Sequence, residues 1–234
     1  ANMHTTEAFL AVADATGNIS YRVRAGRIID HVVQWARDNE WRIPEHFNEN
    51  WVADLEFNAD KKDDQFKPYG ATPGHGIEWA RLITQWALSF YPNREGARPY
   101  IEASEHLFHR AVEDGWNANG TIGLAYTTDW KGRPVVTDRM HWTLAEGLNT
   151  SSTLFHATGS VEYLDWYSTF ARYVDEHLID HQGGSWFHQL DKDNKVIGTV
   201  WPGKSDLYHA FQSTLISFVD PAVSICTAIK NAAK

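Results

Sequence analysis

Four histidines stand where helices are expected to begin: His4, His75, His141 and His209. Three of them have a polar side chain three residues on, namely Glu7, Glu78 and Gln212. That spacing puts both members of a pair on one helical face. In the third repeat Leu144 takes the place, with Trp142 and Glu146 nearby. Such a set admits three chemistries. The first is general acid–base work, because histidine titrates near neutrality and a neighbouring carboxylate or amide can hold its tautomer. The second is metal binding by His-x-x-Glu from two helices, although the close i,i+4 histidine pair of the helical zinc motif is missing. The third is a carboxylate pair on a glycosidic bond, Glu78 with Glu146 or Asp206. Taken alone, His75 and Glu78 equally suit a satisfied core histidine and a first-turn glutamate favoured by the helix dipole. Gly203-Lys204-Ser205 lacks the upstream glycine of a phosphate loop.

The elements that would position these groups are mostly helical. Pro73-Gly74-His75-Gly76 ends what precedes it, and an apolar stripe of Trp79, Leu82, Ile83, Trp86 and Phe90 follows at helical spacing. His75 and Glu78 extend that stripe into the first turn. Polar groups on a core-facing stripe need partners or a wet cavity. Further helices are expected at about 3–15, 19–38, 94–116, 140–157, 161–179, 206–218 and from 221 onward. Residues 41–73 read as a long irregular connection. Hairpins are expected at 120–136, with 122–126 as the first strand, and at 183–201. The histidines recur at spacings of 71, 66 and 68 residues, each at the start of a helix. A period of this size means stacked helix pairs. Inner helices then present their N-termini, and the histidines on them, to one mouth. The repetition favours a functional cavity over four unrelated core residues.

Composition narrows the function. The chain has 234 residues, 43% hydrophobic and 22% charged, and reads as one domain over 1–234. Its net charge of −9, with no basic cluster, argues against nucleic acid and anionic membranes. No apolar run approaches a membrane span, and a cytoplasmic location is expected. Cys226, the single cysteine, reads as plain packing. Eleven tryptophans serve equally as core and as platforms for sugar rings.

Several collinear motifs resemble the N-acylglucosamine 2-epimerase family. They are Asn2-Met3-His4-x-x-Glu7-Ala8, Gly74-His75-Gly76-Ile77-Glu78-Trp79, Arg139-x-His141-Trp142 with Ala145-Glu146, Trp186-Phe187-His188-Gln189-Leu190, and Pro202 to Gln212. The resemblance is strongest to its aldose–ketose isomerase branch, of mannose isomerase and sulfoquinovose isomerase type. It implies an all-α (α/α)6 barrel, with hairpin loops at one end, and isomerisation of a monosaccharide through a cis-enediolate without metal or cofactor. It implies that His75 and His209 transfer protons, His209 between C2 and C1 and His75 in ring opening, with Glu78 orienting His75. His4, Glu78, Trp142, Glu146 and Gln189 would line the sugar site. Lys67, in Phe66-Lys67-Pro68-Tyr69-Gly70, stands where the resemblance leads one to expect arginine, as a further substrate contact. The match is to the C-terminal portion of the barrel. The chain is therefore expected to form an open arc, either completed by a second chain or copy or itself a fragment of a longer chain. The alternatives are 2-epimerisation at the same site and a non-catalytic sugar- or protein-binding module.

Overall fold

In the computed structural model, which describes residues 2–205 and 207–233, the helical periodicity is realised as eight helices joined by short strands. Asp206, a candidate carboxylate, lies outside the described residues. The helices are α1 (Asn2–Thr16), α2 (Ser20–Asp38), α3 (Pro73–Phe90), α4 (Arg94–Gly115), α5 (His141–Thr158), α6 (Val161–Tyr173), α7 (Leu207–Ile216) and α8 (Ile225–Ala232). Pro73 fits the first turn of α3 because its missing N–H would be unsatisfied there anyway. The carbonyl of Thr72 accepts from the amides of His75 and Gly76. Asn93 caps α4 by accepting from the Gly96 amide. Gly159 ends α5 in the left-handed region at φ 74°.

The odd-numbered helices pack on one another in order, α1 on α3, α3 on α5 and α5 on α7. Each of α2, α4 and α6 packs on the odd helix before it. This explains why α3 and α5 are buried nearly all round whereas α2 and α6 keep an exposed face. The apolar stripe of α3 is core: Trp79, Leu82, Ile83 and Trp86 are all buried, against Leu107 and Phe108 of α4 among others. Each such side chain contributes about 1.5–3 kcal/mol by leaving water. α7 reaches back to α1, where Gln212 Nε2 donates to Glu7 Oε1 at 3.4 Å and the Tyr208 hydroxyl also donates to Glu7.

The strands are short. β1 (Thr127–Thr128) pairs antiparallel with β2 (Pro134–Val136). β3 (Arg139–Met140), β4 (Gln189–Leu190) and β5 (Val196–Ile197) form a second antiparallel sheet. The first hairpin therefore differs from the expected strand at 122–126. That stretch instead follows the end of α4: Leu124 bridges Trp116, and the Ala125 amide donates to the Gly115 carbonyl. Leu124 is fully buried there, so core packing overrides strand pairing. Two further boundaries move. The helix expected to run to 179 turns π-helical at Val174–Leu178, and the last helix starts at Ile225 rather than at 221. Residues 41–72 are irregular as expected and are pinned to the first hairpin by Ala71 pairing with Thr128. Gly70 makes that crossing possible: it has φ +93°, and a Cβ there would overlap the Thr128 carbonyl.

Candidate active site

The first turns of α1, α3, α5 and α7 bring His4, His75, His141 and His209 to the same end of the helix stack. Three of the four reach a cavity of about 460 Å³, whose walls are Met3, His4, Gln65, Phe66, His75, Glu78, Tyr126, Trp142, His188, Trp201 and His209. Small-molecule sites typically occupy roughly 300–1,000 Å³. The fourth, His141, is buried behind the wall, edge-on to His188 with centroids 4.6 Å apart and to His209 at 6.2 Å.

Trp142 stands between the two predicted catalytic histidines. Its ring centroid is 5.1 Å from that of His75 and 5.7 Å from that of His209. It packs so closely on α3 that a Cβ at Gly74 would lie 2.8 Å from the indole. Each histidine is held by a carboxylate. His209 Nδ1 lies 3.1 Å from Glu146 Oε1, and His75 Nδ1 lies 2.8 Å from Glu45 Oε1. Glu45 comes from the irregular stretch and is absent from the motif reading. Glu78, expected to orient His75, does not do so. It faces the cavity beside His4, whose Nδ1 is 3.9 Å from its Oε1.

A second residue absent from the motif reading is Arg81, one helical turn beyond Glu78 and only 1% exposed. Its Nε donates to Glu146 Oε2 at 2.7 Å and its Nη1 to Glu7 Oε1 at 3.3 Å; its Nη2 lies 3.7 Å from Glu78 Oε1. Three carboxyls thus share one guanidinium. Burial raises the pKa of Glu146, but Arg81 and His209 more than offset it and hold the group below the usual carboxylate range. Glu7 is likewise pushed up by burial and pulled well down by Arg81, with hydrogen bonds from His4, Tyr208 and Gln212 helping. Glu78 goes the other way: burial first, then the Glu146 charge, raise it well above its ordinary value, and Arg81 only partly opposes this. Of the three carboxyls, Glu7 and Glu146 are thus held toward the charged form and Glu78 is pushed toward the neutral acid. His75 is lowered by burial and raised more strongly by Glu45, so its imidazolium is favoured overall. Burial and the Glu45 charge push the Tyr126 phenol up to about 12, which keeps it neutral.

Two other expected contacts fall elsewhere. Gln189 is fully buried and spends its amide within the fold. Its Nε2 donates to Asp138 Oδ2 at 2.7 Å and Thr199 Oγ1 at 3.0 Å, while its Oε1 accepts from the Val200 and Trp201 amides. It thereby sets Trp201, which stacks on His188 with centroids 5.6 Å apart. Lys67 is exposed and outside the cavity wall; its neighbours Gln65 and Phe66 stand there instead. Its backbone is turned by Asp64, which accepts from the amides of Phe66 and Lys67. Glu146 is buried beneath His209 and does not line the cavity.

His4, Glu7 and Glu78 could together hold a metal ion, since one donor atom of each lies within 4.8 Å of the others. The chemistry of the set is less favourable, because Arg81 is drawn to both carboxyls. No helix among the described residues is long and apolar enough to cross a membrane.

The fold and cavity define a mostly helical protein with paired, carboxylate-held imidazoles around a tryptophan, suited to moving protons on a small polar molecule. The chain belongs to the N-acylglucosamine 2-epimerase (GlcNAc 2-epimerase) family, whose profile matches residues 1–213. It is 39% identical over 230 residues to a D-mannose isomerase of Pseudomonas cannabina pv. alisalensis, covering 97% of this chain and 56% of that protein. It is 39% identical over 232 residues to a D-mannose isomerase of Thermobifida fusca, with the same two coverages. A D-mannose isomerase crystal structure superposes with a TM-score of 0.84 at 27% identity, over 92% of this chain and 55% of that one. The chain thus spans about half the length of the curated relatives it matches.

Proposed function

We propose that the chain carries the site of an aldose–ketose isomerase acting on a free sugar of the mannose/fructose type. The observation that carries this reading is the pair His75 and His209, each held at Nδ1 by its own carboxylate on either side of Trp142 in one cavity. Identity with D-mannose isomerases supports the substrate class. With Nδ1 bound to Glu146, His209 exchanges protons with substrate through Nε2. It takes the C2 proton of the open-chain aldose while O1 gains a proton, giving an enediol or its anion. Return of a proton to C1 and loss of the O2 proton give the ketose. The His75 imidazolium and the Glu78 carboxyl, which burial shifts toward its protonated form, are donors for the sugar oxygens as negative charge develops there. The Trp142 face packs against the carbon skeleton. No step uses a metal or cofactor.

We infer further that the helix stack is an arc of an (α/α)6 barrel, one domain over 1–234. The test is incubation of the chain with mannose in D₂O. Fructose with deuterium incorporated from solvent is expected, and His75→Ala or His209→Ala abolishes both while the circular dichroism spectrum is retained. A C2-inverted aldose as product would replace the isomerase reading by 2-epimerisation. Mannose binding without exchange would replace it by a binding module.

A further inference from the structure

Arg81 does not itself line the cavity that holds the histidines, yet α1, α3 and α5 each send a charged or polar group toward it. From α5 comes Glu146, whose other oxygen holds His209. From α1 comes Glu7, which accepts from Arg81 and, on α7, from Gln212 and Tyr208. From α3 itself come Glu78 and Gln85, the latter accepting from Nη1 at 3.3 Å. The contacts form a closed circuit. It starts at His209 on α7, passes through Glu146, Arg81 and Glu7, and returns to α7 at Tyr208, the residue next to His209.

We propose that Arg81 is the positioning residue of His209, acting through Glu146, and that Glu7 is the anchor holding Arg81 in place. The role is specific to the geometry. Arg81 engages Glu146 through Nε and Glu7 through Nη1, two donors set apart on a rigid plane. A lysine ammonium offers one point of charge and cannot span both. With Nε fixing Oε2, the carboxylate of Glu146 cannot swing, so Oε1 stays 3.1 Å from His209 Nδ1. The balance of charge matters equally. One guanidinium is divided between Glu7 and Glu146. A change in its claim on Glu7 alters how much negative charge Glu146 presents to the imidazole.

This proposal rests on the isomerase reading only in taking His209 as the working base. Its primary test needs no turnover. The titratable groups around His209, among the described residues, are Glu146 and His141 from α5 and Tyr208 from α7. His4 on α1, His75 and Glu78 on α3, and His188 share the cavity wall with His209, while Arg81 and Glu7 lie beyond Glu146. In protein labelled at histidine, the His209 resonance is assigned by its loss in His209→Asn and titrated by NMR in three further variants. Glu7→Gln keeps on its amide oxygen an acceptor for Arg81 and Gln212, turns the position facing Tyr208 into a donor, and removes one negative charge from beside Arg81. Glu146 is then more fully neutralised, and the His209 titration midpoint moves to lower pH. Arg81→Gln removes the cation facing Glu146, and the midpoint moves to higher pH. Arg81→Lys keeps the charge, so the pKa moves less than in Arg81→Gln, but it loses the fork. In Arg81→Lys the exchange rate at saturating mannose therefore falls about 10- to 100-fold, as for other groups that orient a catalytic ligand, while KM changes less than about threefold.

Opposite shifts in Glu7→Gln and Arg81→Gln support the proposal. Shifts of the same sign, or none in Glu7→Gln, overturn it, since a merely structural ion pair would leave His209 unmoved. If Arg81→Gln does not fold, the direction of the Glu7→Gln shift alone decides. Absence of exchange in the unmodified chain defeats the isomerase reading and leaves the titration standing.

Discussion

Replacing Glu45 by glutamine removes a charge from the His75 site while keeping the shape of the side chain. His75 Nδ1 and Glu45 Oε1 are 2.8 Å apart, with side chains 31% and 20% exposed. A hydrogen bond to a charged partner contributes roughly 1.5–3 kcal/mol, and a neutral one about 0.5–1.5. The amide oxygen of glutamine can accept the same Nδ1–H, so the variant loses about 1 kcal/mol where His75 is charged. The His75 pKa therefore drops in the variant. The sign of the pH dependence follows. His75 has a raised pKa in the fold, so its pair with Glu45 contributes fully below the unfolded-state value of about 6.5 and fades as pH rises through the folded value. Urea unfolding of Glu45→Gln should therefore show a deficit of about 1 kcal/mol at pH 5.5 and little at pH 9. The alkaline limb of the exchange-rate profile, which reports loss of the His75 proton, should shift to lower pH with it. An equal deficit at both pH values, or a larger one at pH 9, would refute the assignment of Glu45 as the carboxylate that stabilises the imidazolium.

Other perturbations separate packing from chemistry. Gly74→Ala places a methyl carbon 2.6 Å from Thr143 Cγ2 and 2.8 Å from the Trp142 ring, so it should cost about 1–3 kcal/mol in urea unfolding and raise KM by displacing the indole. A normal KM would show that Trp142 does not pack on the sugar. Gln189→Ala frees the Trp201 amide and the Asp138 carboxylate; we expect KM to rise up to about tenfold, equivalent to about 1.4 kcal/mol, with little change in kcat. A fall confined to kcat would place Gln189 in the chemistry instead. Activity should persist in EDTA. Loss of activity with recovery on adding a divalent ion would assign His4, Glu7 and Glu78 as a metal site.

The histidines were legible because they share one phase of a repeat, and phase survives whatever loops intervene. That phase brings His4, His75 and His209 to the cavity, whether the preceding connection is a hairpin or an irregular excursion, while His141 at the first position of α5 is buried behind the wall. Helix boundaries fell close to the expected positions for similar local reasons, such as Pro73 opening α3 and Gly159 closing α5. The partners of those histidines were not legible. Spacing along one helix pairs His75 with Glu78, but neighbouring helices bring other carboxyls nearer. Glu45 reaches His75 from a segment without periodicity, where no residue's direction can be inferred. Glu146 does lie near His141 and Trp142 in sequence, yet its oxygen points to His209 on the next inner helix.

Arg81 was hidden for a different reason. In a helical wheel it lies one turn beyond Glu78, and a lone arginine among Trp79, Leu82 and Ile83 reads as a solvated break in the stripe. That reading presumes a helix with one wet side. α3 has none at this height, because α1, α4 and α5 all pack against it. A cation so enclosed is tolerable only with carboxylates beside it, which Glu7 and Glu146 supply from two other helices. The same enclosure, and after it the Glu146 charge, pushes the Glu78 carboxyl well above its ordinary value. The division of labour among the three glutamates is thus a property of how the inner helices meet, and no single motif contains it.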